Sequence, residues 1–263
     1  MHRKAKPFLT IFSFFLSMIG CISMIMSISA QAEETQTVQN CAVQNRDCLL
    51  SVMILQAANI EKKAWRDQTY REIAKTLAFD GKFDQAVSIL DKIETPDTKA
   101  MTIRGIGMML AAHNYDSEEL NEKFSTLHSK AKEIEHPASN GIALTYIAMA
   151  QAFAKDDEGA WKTCAIMDNV ALQNKAYGET AEIQAKRGDF IAAQKSIKNI
   201  ESLSFRNKAY ETISRILSEK ELYDDAYSAA KAITNPYKKT QSLQYMLDKQ
   251  KPRERLQEST LIK

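Results

Sequence analysis

The sequence predicts an all-α protein built as a stack of antiparallel helix hairpins, and three observations carry that prediction. Apolar residues recur at helical spacing, as at Tyr70, Ile73, Ala74 and Leu77. Period-two alternation, the mark of a half-buried strand, is absent over any useful length. The chain also repeats itself. Thr69-Tyr70-Arg71-Glu72-Ile73-Ala74 matches Ala176-Tyr177-Gly178-Glu179-Thr180-Ala181 and Ala209-Tyr210-Glu211-Thr212-Ile213-Ser214, with looser copies from Ala100 and Ala143. The copies begin at 69, 100, 143, 176 and 209, in steps of 31, 43, 33 and 33.

Taken from the N-terminus, residues 1–32 read as a secretory signal. His2-Arg3-Lys4-Ala5-Lys6 is basic, Phe8 to Ile28 carries no charge, and Ala30-Gln31-Ala32 offers small residues for cleavage after Ala32. The apolar stretch is also long enough to serve as an uncleaved membrane anchor, and Met18-Ile19-Gly20-Cys21 weakly resembles a lipoprotein box. The expected organisation is therefore a signal over 1–32, an N-terminal segment over 33–47, helical repeats over 48–248 and a tail over 249–263. The whole chain has a net charge of +2 from 35 Lys+Arg and 33 Asp+Glu. The leader holds Arg3, Lys4 and Lys6, so removing it leaves 32 cations against 33 acids, a net −1. That balance does not favour nucleic acid, which calls for a clustered basic surface.

Cys41 and Cys48 precede the first helix. In an oxidising compartment they would close a small loop; the alternative is three free thiols, Cys41, Cys48 and Cys164. Cys164 reads as a small buried hydrophobe on a helix. Leu49 to Ile60 reads as a lone second helix capping the stack.

Within each unit the first helix carries the stripe just described. Gly81 or Gly188 then permits the left-handed turn that ends it. A second motif follows: Gly81-Lys82-Phe83-Asp84-Gln85-Ala86 matches Gly188-Asp189-Phe190-Ile191-Ala192-Ala193, and Glu221-Leu222-Tyr223-Asp224-Asp225-Ala226 repeats it with the glycine replaced. The aromatic starts the second helix, and Ala86, Ala193 and Ala226 are small where two backbones approach. Ile93, Ile200 and Ile233 each lie seven residues after that alanine. Pro96, Pro137 and Pro236 are expected to mark helix exits, since proline has no amide to continue a helix. The long step is assigned to an insertion around Ser117 to Phe124. Tyr237 to Leu247 reads as a final first helix, and the mixed-charge tail begins beyond Lys249.

No local signature of catalysis accompanies this pattern. Gly-rich phosphate loops are missing, as expected of a chain with only 8 Gly, and no Ser-His-Asp or Cys-His arrangement has a local motif. His113 falls near a helix end, and His128 and His136 lack the carboxylates or thiolates that would complete a metal site. Asp156-Asp157, Glu118-Glu119 and Asp224-Asp225 fall where helices begin, where carboxylates meet the positive end of the helix dipole. Met101, Met108, Met109, Met149 and Met167, together with Trp65 and Trp161, read as packing residues. No cofactor is expected.

The small residue at Ala74 or Ala181, the Gly-x-aromatic-x-x-Ala segment and the following proline resemble the tetratricopeptide-repeat (TPR-like) family over most of residues 64 to 248. Tyr stands where that family usually has Trp, and Ile93, Ile200 and Ile233 stand where it usually has a small residue. The resemblance implies a right-handed α-solenoid whose first helices line a concave groove. By that register the groove positions are Arg71, Lys75, Lys99, Thr102, Thr145, Met149, Lys175, Glu182, Glu211 and Arg215, basic at the N-terminal end and mixed at the C-terminal end. With the leader, it implies an exported bacterial, non-enzymatic scaffold, periplasmic or secreted, that binds a protein or peptide partner of the cell envelope. The competing expectations are an accessory domain or enzyme acting on envelope material, and a structural protein that oligomerises.

Overall fold

The structure is a computed structural model that describes residues 41–42 and 44–250. The expected leader, most of the N-terminal segment and the tail from Lys251 on lie outside those residues. The chain divides into two compact units, one ending at Ile60 and the other beginning at Glu61. Among the described residues there are twelve α-helices and no strand.

The first unit contributes α1 (Arg46–Ala58). Asn45 caps it, its side-chain oxygen accepting from the Cys48 amide at 3.1 Å. Cys41 and Cys48 form a disulfide across this turn, with Cα atoms 5.7 Å apart.

The second unit holds α2 (Lys63–Phe79), α3 (Phe83–Ile89, extended by a 3₁₀ turn at Leu90–Lys92), α4 (Pro96–Ala112), α5 (Ser117–Lys132), α6 (Pro137–Phe153), α7 (Asp157–Ala165), α8 (Val170–Lys186), α9 (Phe190–Lys198), α10 (Leu203–Glu219), α11 (Tyr223–Ala232) and α12 (Pro236–Gln250). Its even-numbered helices run 15 to 17 residues and are the long helices of the repeat; of the odd-numbered ones only α5, at 16, reaches that length. They begin at 63, 96, 137, 170, 203 and 236, so the period is 33 residues with a single step of 41. Each long helix packs against the helix that follows it and against the next long helix.

That period corrects one copy of the motif. The equivalent of Thr69 in α4 is Thr102 rather than Ala100, which places Ile103 and Ile106 where α2 has Tyr70 and Ile73. Both isoleucines are buried, whereas Met101 is only half-buried. The wide step is helical, as the helix start read at Glu118-Glu119 implies: Ser117 to Phe124 forms the first turns of α5.

The prolines also stand elsewhere than expected. Pro96, Pro137 and Pro236 open α4, α6 and α12 rather than closing the helices before them. The first turn of a helix has amides without intrahelical acceptors, so proline loses nothing there and its fixed φ suits the start. Three residues before each long helix from α4 onward stands a buried apolar side chain, Ile93, Ile134, Met167, Ile200 or Ile233, which anchors the short link.

The turn after a long helix is left-handed at four equivalent positions. Gly81 and Gly188 supply it at φ +74° and +86°, while Lys155 and Glu221 adopt φ +66° and +62° despite their Cβ atoms. The paired acids behave as helix-start residues. Asp116 and Asp156 accept from the Glu119 and Gly159 amides at 2.9 Å each, with Glu118, Glu119 and Asp157 in the first turns. Trp65 departs from its expected packing role: it is 64% exposed, with the Lys62 ammonium 4.2 Å from its ring centre.

Candidate functional site

Cavities lie between successive long helices. The first, about 310 Å³, is lined by Arg104 of α4, Ile142, Thr145, Tyr146 and Met149 of α6, and Leu172, Lys175 and Glu179 of α8. The second, about 170 Å³, shares Lys175 and Glu179 and adds Glu182, Phe205 and Lys208. A third, about 400 Å³, lies between Arg215 of α10 and Tyr237, Gln241 and Tyr245 of α12. Recurrence places them in line. Residues at the same step along successive long helices share a face, so Ile142, Lys175 and Lys208, 33 residues apart, follow one another from helix to helix.

Five of the ten expected groove residues line these cavities: Thr145, Met149, Lys175, Glu182 and Arg215. Thr145 does so from a nearly sealed position, its hydroxyl donating to the Gly141 carbonyl at 2.9 Å. Thr102 is a correction. It is fully buried and donates to the Thr98 carbonyl at 2.7 Å, because the two-residue slip in register assigned an inward position to the groove. The same slip displaces Lys99, which is half-buried on α4 and lines none of these three cavities, whereas Arg104 does.

The expected basic N-terminal end is also revised. Lys75 pairs with Glu72 at 3.0 Å and the Arg71 Nε lies 3.8 Å from the same carboxylate, so an acid on the intervening step offsets both cations. Lys75 can lie across α4 because Gly105 has no side chain; a Cβ there would come within 2.6 Å of the lysine Cγ. At the other end Arg215 donates to Glu211 at 3.1 Å and stacks on Tyr245 at 5.2 Å, and Glu211 also meets Lys238 at 3.5 Å. Glu182 pairs with Lys186 at 2.6 Å. In the middle, by contrast, Arg104, Lys175 and Lys208 have no ion-pair partner among the described residues. The face there combines these cations, Arg104 stacked on Tyr146 at 5.2 Å, with the carboxylate of Glu179 and the apolar Ile142, Met149, Leu172 and Phe205.

Buried polar residues that sequence reasoning missed hold this face together. Asp67 accepts from the Thr95 amide at 2.8 Å, Asn174 from Glu201 at 2.9 Å, and Asn207 from Thr234 at 2.8 Å. Each thereby satisfies backbone donors in the link to the next long helix. The signal was present in Asp67-Gln68-Thr69-Tyr70, Asn174-Lys175-Ala176-Tyr177 and Asn207-Lys208-Ala209-Tyr210, two residues upstream of the repeated motif.

One cluster has the residue types of a nucleophilic site. The Ser139 hydroxyl lies 2.5 Å from an Asp97 carboxylate oxygen and 2.8 Å from the His136 Nδ1. The order is wrong for activation, since the hydroxyl sits between acid and imidazole, and Ser139 is fully buried while His136 caps α6 by accepting from the Ser139 amide. His113 is likewise a capping group, its Nε2 3.2 Å from the Ala78 and Phe79 carbonyls. Cys164 is fully buried, and burial pushes its thiol up to about 12. No cluster of three His, Cys, Asp or Glu suited to a metal occurs among the described residues, and no helix there is long and apolar enough to cross a membrane.

No family model matches the chain, and no curated protein matches it. Among solved structures, the crystal structure of Ton1535 from Thermococcus onnurineus NA1 is similar at 13% identity, over 73% of this chain and 94% of that one, with a TM-score of 0.29. A likeness that slight carries no argument about fold detail or function.

Proposed function

We propose that the protein is an exported, non-enzymatic scaffold of TPR-like helix hairpins, arranged as a right-handed α-solenoid, that holds a peptide segment or protein partner of the cell envelope against its long helices. Export rests on the reading of residues 1–32 as a signal, which also places the protein in the periplasm or outside the cell. The observation that carries the binding reading is the line of cavities from α4 to α12, apolar at Ile142, Met149, Leu172 and Phe205 and flanked by Arg104, Lys175 and Lys208. Apolar pockets beside cations that form no ion pair suit a peptide with apolar side chains and neighbouring carboxylates, because each cation gains a partner without breaking an existing salt bridge.

Site-specific photocrosslinking in the native envelope tests this. A crosslinker at Gln241 or Lys208 is expected to trap a defined partner that one at Ser88 or Lys198, on the shorter helices, does not. Arg104→Glu with Lys175→Glu is expected to lower that yield at least tenfold while leaving the helical circular dichroism unchanged. Equal trapping from both helix sets, or full trapping by the folded double variant, would sink the assignment.

A further inference from the structure

The odd-numbered helices carry a further cavity, of about 500 Å³, between α5 and α7 and closed at its base by the C-terminal end of α6. Its floor is a chain of hydrogen bonds. The Thr163 hydroxyl donates to the Gln151 Oε1 at 2.6 Å and lies 2.9 Å from the His128 Nε2, while the Gln151 Nε2 donates to Asp156 at 3.2 Å. Gln151 and Thr163 are both buried.

The same scheme recurs 33 residues later. The Ser196 hydroxyl donates to the Gln184 Oε1 at 2.6 Å and accepts from the Trp161 indole at 2.7 Å. An indole nitrogen only donates, and the single hydroxyl proton is already committed to the glutamine. By the same logic the His128 Nε2–H donates to Thr163, leaving Nδ1 as an acceptor with no partner among the described residues.

The two interfaces differ in what occupies the space above the floor. At the second, the indole of Trp161 lies there with the Lys195 ammonium 3.6 Å from its ring centre, and Lys195 also pairs with Glu158 at 3.0 Å. At the first, the smaller imidazole of His128 leaves the cavity open. Lys162, the counterpart of Lys195, and Lys132, one turn beyond His128, both line it without an ion-pair partner among the described residues. The two acids at the rim are already engaged, Asp156 by Gln151 and the Gly159 amide, Glu158 by Lys195. Gly159 is needed for this arrangement, since a Cβ there would lie 1.9 Å from the Asp156 Oδ2 and 2.5 Å from the Gln151 Nε2.

We propose that this cavity is a binding site for a compact dianion, a small dicarboxylate or a phosphate group, held between Lys132 and Lys162 and seated over His128. One lysine comes from each wall, so a ligand with two negative charges matches the site better than one with a single charge. The site is separate from the face of the long helices, and it stands or falls independently of the partner proposed there.

Calorimetric titration of the purified protein with succinate, inorganic phosphate and acetate tests it, alongside the imidazole signal of His128 in proton NMR. Saturable binding of succinate or phosphate at least tenfold tighter than acetate, with movement of the His128 signal, is expected. Succinate alone would identify a carboxylate ligand, and phosphate alone a phosphate ester. His128→Trp should fold, because Trp161 already makes the equivalent bond, and should lose the binding by filling the space. Lys132→Glu with Lys162→Glu changes only exposed side chains and should also lose it. No dianion binding, acetate binding as tight as succinate, or binding undiminished in the double lysine variant overturns the proposal.

Discussion

The outer links between successive long helices and the two middle ones are closed by different chemistry. At the first, fourth and fifth links a buried Asp67, Asn174 or Asn207 accepts the amides of the connecting turn. At the second and third the equivalent positions are Ala100 and Gly141, which offer no acceptor. There the links are tied from the far side, by the Asn140 amide donating to the Ala131 carbonyl at 2.8 Å and the Gln173 amide to the Cys164 carbonyl at 3.2 Å. The long helices of this middle region approach closely instead. A Cβ on Gly107 would lie 3.0 Å from that of Ala150, and Ala143, Ala148, Ala150 and Ala152 are all fully buried. Both proposed sites have their fullest expression in this region, where the repeat departs from its own rule. Strict repetition closes the links, and the departures from it coincide with the cavities on which both proposals rest.

The contrast can be broken most severely in the middle. Gly107→Leu places a branched side chain where even a Cβ would stand 3.0 Å from that of Ala150, and is expected to cost about 3 kcal/mol by overpacking. A urea titration followed by circular dichroism reads it, and a loss below 1 kcal/mol would show that α4 and α6 are not held at this spacing. Next comes Asn207→Ala, which strands the Thr234 amide and hydroxyl and is expected to cost about 2 kcal/mol. Its signature is faster hydrogen exchange at the Thr234 amide, with little change at the middle links.

Gains are expected at the strained turns. Lys155→Gly and Glu221→Gly replace left-handed side-chain residues with the one that Gly81 and Gly188 show to be suited, and each should stabilise by about 1 kcal/mol. A thermal midpoint that falls in either variant would contradict the equivalence of the four turns.

The smallest effect is a pH dependence. Burial, and then the Lys132 ammonium, hold the pKa of His128 below its ordinary value. The unfolded chain therefore takes up a proton that the folded one refuses. This contribution is intact above the unfolded value of about 6.5, declines as pH falls below it, and levels off once the folded-state pKa is passed. His128→Gln should flatten that part of the profile between about pH 8 and pH 5, whereas the matching Trp161 interface contributes no titration.

Much of the helical organisation was legible because burial and periodicity are written in the same residues. Tyr70, Ile73 and Leu77 announce an inward face, and Gly81 and Gly188 announce its end. The slip at Ala100 arose because α4 has Ile103 where the other clear copies have tyrosine, so the best local match was not the structural one. The prolines were misread because a short link makes the exit of one helix nearly the entrance of the next. Of the candidate face, Lys175, Met149 and Arg215 were accessible to register arguments. The cavity over His128 was not. Its existence depends on an imidazole standing where the following interface has an indole, and that equivalence appears only once α5 and α7 are superposed by their 33-residue offset.

Each long helix in the second unit makes its main contacts with its immediate predecessors and successors along the chain. Cooperativity in such a row is passed from neighbour to neighbour and need not span the unit. Heat or denaturant should then release α12 and α11 before the close-packed α4 and α6, giving a graded series of openings rather than one melting event. The same arrangement lets packing be laid down in the order in which the chain emerges, since no helix waits for a distant partner to arrive.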